Sequence, residues 1–247
     1  HYQLDMEMSF VEQNDIFNIV EPIFFDLFNK FGNGKTINKY PFPRIPYSVS
    51  MSKYGTDKPD LRNPIEISDV TELFGSDEIK LEIFKKNIKN GGVVKAIPAL
   101  NTKDKPRSFY DNLNKWAIEE GAKGLAYLTF SKVSEKIIAK GPIAKFFSDK
   151  AIDQLIQKTK ISINDSIFFV SNLENDAVKF SGNVRVKLGN ELKLINENEF
   201  KFCWVVDFPM YQFDEKEKKI DFSHNPFSMP QVDYSEFEKI DPLKVLA

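Results

Sequence analysis

The sequence predicts an α+β fold, with helical and strand-like stretches in blocks rather than in regular alternation. Three observations carry this. Residues 2–10 alternate strictly between apolar and polar side chains, the pattern of a half-buried strand. Residues 14–31 place Ile16, Phe17, Val20, Ile23, Phe24, Leu27, Phe28 and Phe31 at helical spacing. Residues 167–171 form a short apolar run suited to a strand buried on both faces.

Taken in order, the first strand puts Tyr2, Leu4, Met6, Met8 and Phe10 on one face and Gln3, Asp5, Glu7 and Ser9 on the other. Asn14 is the expected cap of the following helix, and Gly32 and Gly34 its end. Pro41, Pro43 and Pro46 hold an extended segment before a short helix at 47–54, a polar loop at 55–64 and a strand at 65–70. Strands are then expected at 93–97, 125–130 and 167–171, and helices at 108–120, 149–158 and 174–187. Gly141-Pro142 and Gly189 act as punctuation. Residues 202–211 and 220–222 read as the arms of a β-hairpin around a charged turn.

Composition bounds the chemistry. One Cys and two His in 247 residues leave no disulfide framework and no metal constellation. No apolar run reaches the roughly 18 residues of a membrane span. A soluble, cytoplasmic protein is therefore expected. The net charge of −2 hides an asymmetry, because residues 75–200 carry 21 basic and 16 acidic side chains while the flanks are acidic. GxxxxGK[ST], GxGxxG and GxSxG are absent, which removes the commonest phosphate-loop, dinucleotide and hydrolase readings. The abrupt strand-like start and the uncapped Leu246-Ala247 end read as a fragment.

Candidate functional residues each admit two readings. Gln3, Asp5, Glu7 and Ser9 could floor a pocket that accepts an ammonium, or simply be the solvated face of a sheet. His224, in a Ser-His-Asn-Pro turn, could donate to an anionic substrate, or suit the turn. Arg44, Lys58 and Arg62 could meet phosphate, or pair with the acids around them. The aromatics Phe17, Phe24, Phe28, Phe31 and Trp204 read most simply as core.

Four strings in order add a resemblance. Gln3-Leu4-Asp5-Met6-Glu7-Met8-Ser9-Phe10 resembles the second strand of motif 2 in class II aminoacyl-tRNA synthetases. Phe42-Pro43-Arg44-Ile45-Pro46-Tyr47 and Tyr54-Gly55-Thr56-Asp57-Lys58-Pro59-Asp60-Leu61-Arg62 resemble the segment that follows it in bacterial aspartyl-tRNA synthetases. Lys140-Gly141-Pro142-Ile143-Ala144-Lys145-Phe146 is similar to a stretch of their inserted GAD domain. Trp204-Val205-Val206-Asp207-Phe208-Pro209-Met210 and His224-Asn225-Pro226-Phe227-Ser228 resemble the strand pair and turn beyond it.

The resemblance implies a partial class II antiparallel sheet with helices, interrupted by an α+β GAD insertion. The implied divisions are a first catalytic-domain segment at 1–74, the GAD insertion at 75–199 and a second catalytic-domain segment at 200–247. It implies an intact enzyme that uses ATP and Mg²⁺ to activate L-aspartate and charges tRNA(Asp), alone or together with tRNA(Asn), as a homodimer. By resemblance, Asp5, with Gln3 nearby, helps hold the aspartate ammonium. Glu7 and Ser9 share that face, and His224 contacts the substrate. The arginines that grip ATP are expected outside residues 1–247, so no catalytic residue and no metal ligand is assigned here and the piece alone is expected to be inactive. Asn225 stands where many relatives carry a second His, which leaves tRNA discrimination open. The alternative is a nonenzymatic tRNA-interaction module of the GAD type, as found in an amidotransferase subunit.

Overall fold

A computed structural model of the chain describes residues 2–133, 136–214, 217–223 and 227–247. The first helix, α1, spans Gln13–Phe31. The expected cap is displaced: the Asp15 carboxylate accepts the Glu12 N–H at 2.9 Å and closes the first turn, while Asn14 Oδ1 accepts from Arg44 Nη1 at 2.6 Å. Two short strands follow, β1 (Thr36–Ile37) and β2 (Arg44–Pro46). Helix α2 (Tyr47–Tyr54) begins directly after Pro46 and ends at Gly55, whose φ of 71° is the left-handed cap that glycine adopts without strain.

The largest sheet has five strands in the order β3-β4-β7-β5-β6, antiparallel throughout. They are β3 (Ser68–Asp69), β4 (Gly92–Ala99), β5 (Ala126–Val133), β6 (Lys136–Lys140) and β7 (Ser166–Leu173). The segment expected as a strand at 65–70 contributes only β3, and it is pinned to β4 by Lys95 Nζ on Asp69 Oδ2 at 2.7 Å. Helices α3 (Thr71–Gly75), α4 (Glu82–Lys89), α5 (Arg107–Glu119), α6 (Asp149–Thr159) and α7 (Glu174–Glu191) surround the sheet.

Both sheet faces are covered, and β7 shows why its sequence is apolar without alternation. Ile167 and Phe169 join Val70, Leu73, Phe74 and Leu155 in one core. Phe168 and Val170 join Tyr110, Leu113, Val184 and Leu188 in the other. Phe74 is fully buried among the rings of Phe84, Phe147 and Phe169. Gly189 does not end α7; it lies within the helix, where a Cβ would sit 2.3 Å from Asn63 Nδ2.

The flanking segments pair with each other in separate two-stranded sheets. Strand β8 (Glu199–Phe200) pairs in parallel with β1, and β9 (Trp204–Val206) in parallel with β2. Trp204 stacks on Phe17 with ring centroids 4.5 Å apart, and its Nε1 donates to the buried Glu21 carboxylate at 2.8 Å. Phe42, Phe28 and Phe202 complete the seam. Phe17 is core as expected, whereas Phe24 and Phe31 are exposed.

Two strand expectations change. The hairpin is shorter than its apolar run: β10 (Tyr211–Asp214) pairs with β11 (Lys219–Phe222), and Trp204–Val206 goes to β2 instead. Asp207, with φ at 57°, separates the two uses of the run. Residues 2–10 make no ladder with any described residue: their alternation defines a face, but no described strand lies beside them to complete the hydrogen-bonded pair that a strand requires. Their apolar face, from Tyr2 to Phe10, is exposed. A short helix, α8 (Tyr234–Phe237), precedes the end of the chain. No helix among the described residues is long and apolar enough to cross a membrane.

The packing of Phe74 sets a measurable cost. Phe74→Ala should destabilise the protein by about 3–5 kcal/mol in urea unfolding, through lost burial and the cavity left behind. A change under about 1 kcal/mol would mean that this ring cluster does not hold the core.

Candidate functional site

A buried, densely hydrogen-bonded polar assembly joins the loop after α2 to helix α7. Gly55 and Gly182 bring two backbones into direct contact, since a Cβ on Gly182 would lie 2.6 Å from the Gly55 carbonyl oxygen. Arg185 lies one turn further along α7 and is 1 % exposed. Its Nε donates to the Ile65 carbonyl at 2.7 Å, and its Nη2 to the carbonyls of Asn63 at 2.8 Å and Asp60 at 2.9 Å. The guanidinium carbon sits 5.0 Å from the centre of the Tyr54 ring. Burial lowers the Arg185 pKa, yet arginine stays charged in proteins.

The loop returns the contact. Asn63 Nδ2 donates to the Arg185 carbonyl at 3.0 Å, and its Oδ1 accepts the Ile65 N–H at 3.1 Å. Arg62 forks onto Asp60, with Nε and Nη2 donating to the two carboxylate oxygens at 2.9 and 2.8 Å. That hydrogen bonding holds the Asp60 carboxyl below its ordinary range. The Arg62–Asp60 pair follows the expectation that charges in this loop satisfy one another. Arg44 is likewise engaged, on Asn14 and over the Phe17 ring at 4.6 Å.

From this clamp a path runs towards the hairpin. Ser50 Oγ, buried on α2, donates to the Thr56 carbonyl at 2.7 Å and ties the helix to the loop. Tyr47, the first residue of α2, packs on Phe208 with centroids 4.9 Å apart. Phe208 in turn exchanges backbone hydrogen bonds with Ala247, and Met210 N–H bonds the Val245 carbonyl at 2.9 Å.

The residues singled out in the sequence lie apart from that assembly. Gln3, Asp5, Glu7 and Ser9 are all exposed on the segment that leads into α1. Gln3 Nε2 donates to Asp5 Oδ1 at 2.7 Å, as neighbours two residues apart on one side of an extended chain can. His224, with Asn225 and Pro226, lies outside the described residues. Among the described residues no three His, Cys, Asp or Glu side chains converge to hold a metal ion. Sequence reasoning does not single out Arg185. The available signal is its place on one helical face with Ser181 and Leu188, beside the small residues Gly182 and Gly189.

The family model for tRNA synthetases class II (D, K and N) matches residues 1–246. The chain belongs to this family. It is 52% identical over 246 residues to the aspartate–tRNA(Asp/Asn) ligase of Pelagibacter ubique (strain HTCC1062), covering 100% of this chain and 41% of that protein. It is 55% identical over 246 residues to the ligase of the same name from Ehrlichia ruminantium (strain Welgevonden), covering 100% of this chain and 40% of that one. With the Rickettsia prowazekii (strain Madrid E) ligase it shares 55% identity over 230 residues, 93% of this chain and 37% of the relative. The chain thus spans about two fifths of the length of the curated relatives it matches. For a class II synthetase chain, the α+β character expected from the sequence is the one observed.

The Asp60–Arg62 fork makes the synthetase chain sensitive to acid in a defined direction. A carboxyl whose pKa is depressed by folding contributes stability above its ordinary value, near pH 4, and loses it as pH falls through the folded value. Between pH 6 and pH 3 the melting temperature of the wild type should therefore fall more steeply than that of Asp60→Asn. Parallel acid limbs for the two proteins would contradict the assignment.

Proposed function

We propose that this chain belongs to an aspartate–tRNA ligase, and that residues 2–10 and His224 contribute to its amino-acid site. The observation that carries the reading is identity of 52–55% to aspartate–tRNA(Asp/Asn) ligases across nearly all of the chain. The match takes in both flanks as well as the middle. An appended tRNA-interaction module would need neither residues 2–10 nor His224, so the amidotransferase reading is not favoured.

The chemistry suits the residues. Aspartate carries two carboxylates and one ammonium, so its site needs acceptors at one end and donors at the other. Asp5, oriented by the Gln3 amide, is the acceptor for the ammonium, and His224 is the donor towards the anionic end. Glu7 and Ser9 extend the same polar side. Selectivity follows because a wrong amino acid would leave these groups unpaired. The reaction begins with attack of the aspartate α-carboxylate on the α-phosphorus of ATP, expelling pyrophosphate. A hydroxyl at the 3′ end of tRNA then takes the aspartyl group and releases AMP. Positioning and charge stabilisation dominate both steps. Mg²⁺ belongs with the nucleotide phosphates, which need only one or two protein carboxylates beside them. No residue of this chain is assigned to it.

In this reading residues 75–199 form the inserted GAD domain between the catalytic-domain segments at 1–74 and 200–247, and β3 and α3, at the end of the first segment, pack into the insertion's core. The intact enzyme is a cytoplasmic homodimer that charges tRNA(Asp), and tRNA(Asn) is a second acceptor to be tested alongside it.

The test is ATP–pyrophosphate exchange by the full-length protein. Exchange should depend on L-aspartate and not on L-asparagine or L-lysine. His224→Ala and Asp5→Asn should each lower kcat/KM for aspartate by about tenfold or more, the loss expected for a hydrogen bond to a charged group. Exchange driven equally by the other amino acids, or both variants matching wild type, would overturn the reading.

A further inference from the structure

We propose that one end of the five-stranded sheet is a docking surface for the phosphate backbone of tRNA, carried by Lys103, Lys105, Arg107, Lys140 and Lys160; the choice of partner rests on the ligase reading above. The register of the sheet places these residues together. Lys140 on β6 stands opposite Thr129 on β5, Thr129 opposite Ser166 on β7, and Ser166 opposite Ala99 on β4. That row covers three strand spacings, about 14 Å. The loop at 100–106 leaves the sheet from Ala99 and the loop at 160–165 enters it at Ser166, so both lie beyond the same row.

The two loops are fixed to each other by bonds that leave the cationic side chains outside. The buried Asp165 carboxylate accepts the Asn101 N–H at 2.8 Å and the Ser162 N–H at 2.7 Å. Lys103 N–H donates to the Asn164 carbonyl at 2.9 Å, and Tyr110 Oη to the Thr102 carbonyl at 2.8 Å. All the cations named above are exposed. Lys105 Nζ rests over the Phe109 ring at 5.6 Å, and Arg107 reaches Asp111 at 3.5 Å in a solvent-exposed pair that contributes little. The exposed carboxylates beside them are Asp104 and Asp111.

The opposite end of the sheet has the reverse character. There α5 runs out into Glu119 and Glu120, and α7 begins with Glu174 and Asp176 in its first turn. The basic excess of residues 75–200 therefore has a direction. It points the way the chain comes in: β3 begins at Ser68, level with Ala96, and β4 leaves the sheet three residues further on, towards the loop at 55–64. Cations in a row on stiff loops, with the exposed Asn101, Ser162 and Asn164 between them, suit a run of phosphates, because lysine and arginine pair with the oxygens and neutral donors fill the gaps. A single small anion would need no row of this length. Of the partners that the ligase reading supplies, tRNA is the extended polyanion.

The experiment uses the full-length protein and a tRNA(Asp) transcript. Lys103→Gln, Lys105→Gln and Lys160→Gln are combined, which removes charge at exposed positions and leaves the bonds that hold the loops. Lys86→Gln with Lys89→Gln, on α4 at the other end of the sheet, is the matched control. Filter binding is measured across about 50 to 200 mM salt, and ATP–pyrophosphate exchange without tRNA alongside it. The triple variant should bind tRNA about tenfold more weakly, with a salt slope shallower by about two or more. Its exchange should stay within about twofold of wild type, and the α4 pair should match wild type in both assays. Wild-type affinity and salt slope in the triple variant overturn the proposal, as does an equal loss in the α4 pair, which would make the effect one of net charge. Unchanged tRNA binding with a dimer lost in sedimentation makes this end a contact between copies and overturns it too. A wild type that binds tRNA through these lysines but shows no aspartate-dependent exchange overturns the ligase reading and leaves the surface standing.

Discussion

One buried guanidinium organises this molecule. Arg185 has no freedom to choose its partners, because burial removes water and leaves the carbonyls of Asp60, Asn63 and Ile65 as acceptors. In satisfying itself it sets the course of a loop that would otherwise carry its own unpaired carbonyls inside the protein. The same few ångströms contain the Gly55–Gly182 contact and the Asn63 amide bonded in both directions. Removing the Arg185 guanidinium or the Asn63 amide takes a hydrogen-bond partner from buried main-chain groups on the other side of the contact.

That constraint bears on how a chain can interrupt one structure with another. The long excursion between β2 and β9 must return to within hydrogen-bonding distance of its start. Two things hold the ends together: the short parallel pairings of β1 with β8 and β2 with β9, and the seam of Phe17, Phe28, Phe42, Phe202 and Trp204. Each pairing is only two or three residues long and would be weak alone. The clamp from α7 adds a second attachment, through α2 and the loop that follows it.

Much of this is legible in the sequence, and the features that are not share a cause. Helices α1, α2, α5, α6 and α7 and strands β4, β5 and β7 lie close to where periodicity puts them, because each has a face that its own residues define. Strand β6 (Lys136–Lys140) gives little local signal because it is a short edge strand with lysines at both ends. The run at 202–211 reads as one arm of a hairpin, whereas β9 pairs with a strand far away in sequence, which no local pattern encodes. Residues 2–10 alternate like a strand, but alternation describes a face and does not supply a neighbour. Gly189 has the look of a helix stop, yet its missing side chain makes room for Asn63. Of the candidate site, Gln3 and Asp5 touch as their spacing allows. Arg185 gives only a weak signal, its place on a helical face with Ser181 and Leu188, because a lone arginine on a helix is usually solvated. The carrying of Asp5 and His224 into an amino-acid site comes from resemblance rather than from spacing.

Native-state hydrogen exchange of the full-length protein tests the clamp most directly. The amides of Arg62, Asn63, Ile65 and Ile67 donate to Asp60, Asn63 and Lys53 within or beside the loop. If Arg185 fixes that backbone, these four should exchange as slowly as the central amides of α7 and open together with them. Exchange of the same amides at the rate of an unprotected loop, while α7 stays protected, would contradict the account.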